Sequence, residues 1–273
     1  MKPTAFDFIR VGSLAEASRN LKEAGGAARL VAGGQSLGPM LNLRLARPQL
    51  LIDITGIPEL TQISATDDAV TLGSCITTAN IEDGRIPGRG LEPLAAVAAN
   101  IAYRAVRNRG TIGGSFCHAD PAADWVSTLC ALGAECLISG VDGKRRLPAD
   151  QFILGAYENA LAPDEVLEAI RIPRLSPRGR WGYYKICRKA GEFASAMGAI
   201  LNDPDRNRFR AVIGATQGRP IVMPDWCELQ RADETIDETA ILHVLDRHGI
   251  TNSVARRQQM AALSRAYEQA KIQ

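Results

Sequence analysis

Ala32-Gly33-Gly34-Gln35-Ser36-Leu37 and Thr111-Ile112-Gly113-Gly114-Ser115 are two stretches of one design, a glycine pair with a serine within the next two residues. Glycine lets backbone approach a ligand closely and takes φ > 0 without strain. Successive N–H groups in such a loop form an anion-binding nest. One such loop reads equally as a structural turn or a phosphate site. Two of the same design point to one ligand with two phosphates, gripped from both sides. Neither stretch continues into Gly-Lys-Ser/Thr, so neither is a Walker A loop. The G-x-G-x-x-G pattern of dinucleotide folds is also absent.

Working outward, Ser13-Leu14-Ala15-Glu16 is a capping box. Leu14, Ala17, Leu21 and Ala24 share a helical face, and Gly25-Gly26 stops the helix. Arg29 to Ala32 reads as a strand running into the first glycine stretch, and Leu50 to Ile54 as a second strand. Together they predict a small α/β unit over about residues 1–55. Gln62 to Thr77 reads as a hairpin around Asp67-Asp68, Thr78 as the cap of a short helix, and Leu94 to Ala102 as helix. The second glycine stretch is expected as a loop. After it, Asp120 at N-cap and Pro121 at N1 predict a helix running to Gly133, its positive end beside that loop. Ala134–Ser139 and Arg145–Leu147 form a further hairpin, and Val166–Ile172 a strand ending at Pro173.

Arg174-Leu175-Ser176-Pro177-Arg178-Gly179 carries breakers and charge and reads as a linker. The chain is therefore divided into residues 1–176, with subdomains of about 1–55 and 56–176, and residues 177–273. The second part is expected to hold strands near Tyr183–Cys187 and Phe209–Ala215. Helices are expected near Phe193–Leu201, Thr235–Arg247 and Ser253–Lys271.

A net charge of +2 is too small to imply a nucleic-acid partner, and 5% aromatics weaken a base-stacking role. The first ten residues carry charges where a signal peptide needs an apolar core. No apolar run is long enough to insert in a membrane, so a cytoplasmic location is expected. Cys75, Cys117, Cys130, Cys136, Cys187 and Cys227 never fall as C-x-x-C, so buried free thiols are expected rather than a metal or iron–sulfur site. His243 and His248 sit in a polar helical stretch and are expected at the surface. His118 lies beside the second glycine stretch. Asp124 suits either sugar hydroxyls or a favourable first-turn charge. Asp120 reads better as a cap. Arg107 and Arg109 suit a phosphate clamp or a solvated or docking role, the latter shared with Arg104. Tyr183-Tyr184-Lys185 suits packing on a ring system or a strand at a domain junction.

The run Ala32-Gly33-Gly34-Gln35-Ser36-Leu37, Leu43-Arg44-Leu45-Ala46-Arg47-Pro48 and Leu51-Ile52-Asp53-Ile54 resembles the first FAD loop of molybdenum hydroxylase flavoprotein subunits. Arg107 to Ser115 with Ala119-Asp120-Pro121-Ala122-Ala123-Asp124 resembles the second. The likeness is strongest to the medium subunits of carbon monoxide dehydrogenases and weaker to the xanthine dehydrogenase FAD domain. It covers nearly the whole chain, including Tyr184-Lys185 and Phe193-Ala194.

The resemblance implies an α+β protein: a two-lobed FAD-binding fold of the vanillyl-alcohol-oxidase (PCMH) type plus a small α+β flavoprotein C-terminal domain. It implies a pyrophosphate shell of Ala32, Gly33, Gly34, Gln35, Ser36, Leu37, Thr111, Ile112, Gly113, Gly114 and Ser115. Asp124 would bind FAD hydroxyls. Leu167, Lys185 and Ile101 would lie near the flavin, and His118 near the FAD. Gln35 replaces a histidine common in the family, and Ile101 an aromatic residue of xanthine dehydrogenase. The implied partners are a large molybdenum–pterin subunit and a small [2Fe-2S] subunit, in a dimer of heterotrimers, with an external electron acceptor. This chain would then need no catalytic acid, base or nucleophile, and none is found. A stand-alone flavin oxidase or dehydrogenase of the same fold, and a non-catalytic nucleotide-binding assembly module, are the alternatives.

Overall fold

The computed structural model describes residues 2–272 apart from Pro224, Trp226 and Ala232, and the backbone alone of Cys227 and Ile272. Strand β1 (Asp7–Arg10) leads into helix α1 (Leu14–Glu23), which starts where the capping box predicts. Ser13 Oγ accepts from the Glu16 N–H at 3.2 Å, while the Glu16 carboxylate turns back to the Gly12 N–H at 2.9 Å. Strand β2 (Ala28–Val31), helix α2 (Leu37–Asn42) and strand β3 (Leu50–Asp53) follow. The three strands form a parallel sheet in the order β1-β3-β2. Parallel neighbours need crossover connections, which the chain makes through the segments holding α1 and α2.

Strands β4 (Ile63–Ala65) and β5 (Ala69–Gly73) make the predicted hairpin. Helices α3 (Thr78–Glu82), α4 (Glu92–Ala98), α5 (Arg104–Arg107), α6 (Ile112–His118) and α7 (Asp124–Leu132) come next. Strands β6 (Glu135–Gly140) and β7 (Gly143–Pro148), helix α8 (Ala149–Phe152), the small hairpin β8 (Ile153–Gly155) and β9 (Glu158–Asn159), and β10 (Val166–Pro173) complete this part. The second sheet is antiparallel in the order β4-β5-β10-β6-β7.

The third sheet is antiparallel, β11 (Arg180–Ile186), β12 (Ala196–Asp203), β13 (Arg208–Gly214) and β14 (Ile221–Met223) in chain order. Helix α9 (Glu238–Arg247) precedes α10 (Ser253–Ile272), which lies along β11 and β12. Every residue of α7 is buried, because this helix packs against the second sheet through β10 and against β12 and β13 of the third. One core thus runs through Leu129, Ile170, Ala199 and Val212. A second core, with Ile200, Ile213 and Leu263, lies beneath α10.

Three local expectations are corrected. The segment 196–203 is strand, not helix: Ala196 to Leu201 are all buried between two layers, so no exposed face imposes a readable period. Thr77, not Thr78, caps α3, its hydroxyl accepting from the Asn80 N–H. Asp120 caps a turn at the Ala122 N–H, 2.9 Å, and α7 starts only at Asp124, after an extended Ala123. The expected linker is firmly held. Arg174 is buried and donates to the carbonyls of Thr66, Arg89 and Pro87, and Ser176 donates to buried Asp203.

Candidate functional site

The first glycine stretch leaves β2 and turns at Gly34, whose φ of +69° is in the left-handed region. Among the described residues, no protein acceptor pairs with the backbone N–H groups from Gly33 to Leu37. Ser36 holds the N-cap position of α2, yet its hydroxyl makes no capping bond. The Gln35 amide donates back to the Gly33 carbonyl at 3.0 Å. Free N–H groups and a free hydroxyl at a helix start form an anion nest.

The second stretch is not the loop expected but the first turns of α6. Its N–H groups from Ile112 to Ser115 are already used. Ile112 donates to Ile76 O and Gly113 to Ser74 O, both at 3.0 Å, and Gly114 donates to the Thr111 hydroxyl at 3.0 Å. Ser115 donates to Thr111 O. Gly113 is glycine for packing, since a Cβ there would stand 2.6 Å from Ser74 O. Gly114 is exposed and Ser115 half-buried. What this stretch can offer a ligand is therefore the Ser115 hydroxyl and bare surface, not a second nest.

The two stretches nevertheless meet. A Cβ on Gly33 would run into the Arg109 carbonyl, 2.6 Å from its carbon and 2.9 Å from Gly110 Cα. A Cβ on Gly114 would stand 3.9 Å from Ala32 Cβ. The two stretches thus lie against each other, with unpaired N–H groups on one side and a tightly packed wall on the other. Arg109 beside it is exposed, and its guanidinium has no protein partner among the described residues. Arg104 and Arg107 are engaged instead by Glu82 and Asp83.

A buried ionic cluster links α7 to the third sheet. Asp124 Oδ1 accepts from Lys185 Nζ at 2.9 Å and from the Tyr183 hydroxyl at 2.7 Å. The Asp124 and Lys185 side chains are only 7% and 8% exposed. Burial holds the Asp124 carboxyl above the usual carboxylate range, against the opposing pull of Lys185 and Tyr183. Burial and the adjacent Asp124 push the Tyr183 phenol well up. Lys185 also donates to Asn100 O at 2.8 Å, which brings it beside half-buried Ile101. Asn100 acts through its backbone, so no residue type announces it in the sequence.

Leu167 is 2% exposed in β10, paired with Ile138, a core residue behind α6 rather than a surface lining. His118 ends α6, half-buried, its ring 5.2 Å from that of Tyr157. Burial lowers its pKa, with Asp120 opposing. His243 and His248 are exposed. Cys75, Cys117, Cys130, Cys136 and Cys187 are free, and burial pushes the Cys117 and Cys130 thiols up to about 12. The side chain of Cys227 lies outside the described residues. Among the described residues no group of three metal-binding side chains occurs, and no helix is long and apolar enough to cross a membrane.

Residues 4–175 match a family model described as the FAD binding domain in molybdopterin dehydrogenase. Caffeine dehydrogenase subunit beta of Pseudomonas sp. (strain CBB1) is 38% identical, over 74% of this chain and 68% of that protein. The carbon monoxide dehydrogenase medium chain of Hydrogenophaga pseudoflava is 39% identical, over 74% of this chain and 70% of its own length. A solved structure of carbon monoxide dehydrogenase from Hydrogenophaga pseudoflava superposes with a TM-score of 0.89 at 30% identity, covering 99% of each chain. Quinoline 2-oxidoreductase from Pseudomonas putida 86 superposes with a TM-score of 0.84 at 28% identity, covering 99% of this chain and 98% of that one.

Proposed function

This chain belongs to the FAD-binding medium subunits of the molybdenum hydroxylases, and from that premise we propose that it carries electrons from a partner's iron–sulfur clusters to an external acceptor. It is a flavoprotein oxidoreductase subunit, and its relatives include medium chains of multi-subunit carbon monoxide dehydrogenases. When bound, FAD supplies the redox chemistry, and the protein's share is binding, orientation and tuning.

The observation that carries the site assignment is the run of unpaired N–H groups from Gly33 to Leu37, packed against Arg109 and Gly110. A diphosphate needs such donors and no carboxylate facing them. In this reading Ala32 to Leu37 hold the pyrophosphate, and Thr111 to Ser115 wall it in, with the Ser115 hydroxyl turned to it. Asp124 and Lys185 orient the sugar and flavin end. Ile101, Leu167 and His118 complete the surroundings, Leu167 as packing behind them. We also propose a division into an FAD-binding domain of residues 1–176 and a C-terminal domain of residues 177–273. The partners would be a large molybdenum–pterin subunit and a small [2Fe-2S] subunit, in a dimer of heterotrimers in the cytoplasm.

The test is to co-express the chain with its partner subunits, purify the assembly and record its absorption spectrum. One FAD per copy of this chain is expected, with flavin reduced by substrate only in the complete assembly. A complex that contains every partner yet no flavin would sink the reading. Reduction of an acceptor by the isolated chain with its own substrate would favour a stand-alone flavin dehydrogenase.

A further inference from the structure

Three consecutive backbone carbonyls accept from two cations. Lys185 Nζ takes Asn100 O at 2.8 Å. Arg107 Nη1 takes Ile101 O at 2.8 Å and Ala102 O at 3.0 Å. The other edge of the same guanidinium is fixed as well: Nε and Nη2 donate to the two Glu82 carboxylate oxygens at 2.7 and 2.8 Å. Such a fork-on-fork pair sets the plane of the guanidinium, not merely its charge. The Arg107 side chain is only 11% exposed, so neither the phosphate clamp nor the docking cation read from the sequence describes it.

The backbone under this clamp is unusual. Ala102 has a φ of +45°, a left-handed conformation that a residue with a Cβ adopts only when its surroundings hold it there. Ile101 forms an isolated parallel bridge with Gly191, ahead of β12. Gly191 packs so closely that a Cβ on it would stand 2.6 Å from Ala102 O. Residues 100–102 are thus a strap between the segment carrying α3 and α5 and the third sheet. Beyond α5 the same chain continues to Arg109 and Gly110, against which Gly33 packs.

We infer that Arg107 is a positioning residue that fixes the strap bearing Ile101, and with it the flavin end of the site. The inference rests on the reading above, in which Ile101 and Lys185 lie at that end. Arg107 contributes no contact to the cofactor itself. It orients the Ile101 and Ala102 peptides and, through the Asn100 carbonyl beside them, the place where Lys185 stands.

Arg107→Met removes the clamp while Glu82 keeps Arg104 as a partner at 2.9 Å, so the chain retains a paired carboxylate and is expected to fold. Arg104→Met is the control: it removes an exposed cation from the same cluster but touches none of the three carbonyls. Arg107→Lys restores charge without the fork. In the flavin-free full chain, hydrogen exchange of residues 100–103 and 190–192 should rise at least about tenfold in Arg107→Met and stay unchanged in Arg104→Met, as expected on losing charge-assisted hydrogen bonds. In the assembly with its partner subunits, Arg107→Met should weaken FAD binding about tenfold or more and shift the flavin potential and visible spectrum, with Arg107→Lys between it and wild type. Equal exchange in Arg107→Met and Arg104→Met would overturn the clamp. Raised exchange with unaltered FAD affinity, potential and spectrum would overturn its role at the flavin end. If the wild-type assembly held no FAD, the FAD reading would fall, whereas the clamp would stand or fall on the exchange data alone.

Discussion

Gly33 has no room for a side chain, because the Arg109 carbonyl and Gly110 occupy the place a Cβ would take. Its role is to let two backbone segments touch, which sets the width of the site between them. Gly33→Ala must push the segments apart and move the N–H groups that follow. We expect FAD content of the purified assembly to fall at least about tenfold, the equivalent of losing one or two charge-assisted hydrogen bonds. Gly38→Ala is the matched control: nothing lies within 4 Å of its Cβ, and it stands within α2, where alanine is the better helix former. That variant should keep its FAD. Retention of FAD by both would refute the pyrophosphate assignment. At this scale the glycine pairs were legible as special positions, but their separate jobs were not. Gly34 supplies a left-handed turn, Gly33 a backbone contact and Gly113 a packing contact with Ser74. Only the first is a local property of the chain. The other two depend on partners distant in sequence.

Helix α1 shows what an element reveals when all its signals agree, since its cap, apolar face and glycine stop are local and all hold. Strand β12 shows the opposite case. Its alternation is real: Gly198 and Ile200 face α10, while Ala199 and Leu201 face the core shared with α7. Because both faces are apolar, the sequence lacks the polar positions that would display a period of two. Helix α6 was obscured for a related reason, as its glycines read as loop while its N–H groups are satisfied by Ser74 and Ile76. The close seating of α10 is the testable consequence. A Cβ on Gly198 would lie 2.6 Å from Ala262 O, and one on Gly182 would lie 2.7 Å from the Ala266 carbonyl carbon. Gly198→Ala should therefore lower stability by about 1–3 kcal/mol, the usual cost of overpacking. Gly218→Ala, with nothing within 4 Å, should stay within about 0.5 kcal/mol of wild type. Urea unfolding midpoints measure both, and equal midpoints would show that α10 does not bear on β12 as described.

Across the whole molecule, the sequence marks where charge and breakers accumulate but not which charges meet. Arg174 reads as linker and is a buried strut, and Asp124 reads as a first-turn charge or a sugar ligand yet pairs with Lys185 on the third sheet. That pair ties α7 to β11 with both side chains buried, and its worth is measurable without any cofactor. Lys185→Met leaves the Asp124 carboxylate buried with Tyr183 alone, which should cost roughly 3–5 kcal/mol at neutral pH. Asp124→Asn should cost less, because an amide can still accept from both neighbours. In the double variant the losses should fall short of their sum by about 1–3 kcal/mol, the coupling expected of contacting charges. The pH dependence gives a second check with a defined sign. Burial raises the native Asp124 pKa, so the folded chain holds this proton to higher pH than the unfolded chain, whose value is about 3.9. The stability from that proton is complete below the unfolded pKa and is lost as pH rises through the raised native value. Removing Lys185 raises the native value further, so the deficit of Lys185→Met should shrink as pH falls from 7 towards 5. A deficit independent of pH over that range, or additive losses in the double variant, would mean that Asp124 and Lys185 do not act as a pair between α7 and β11.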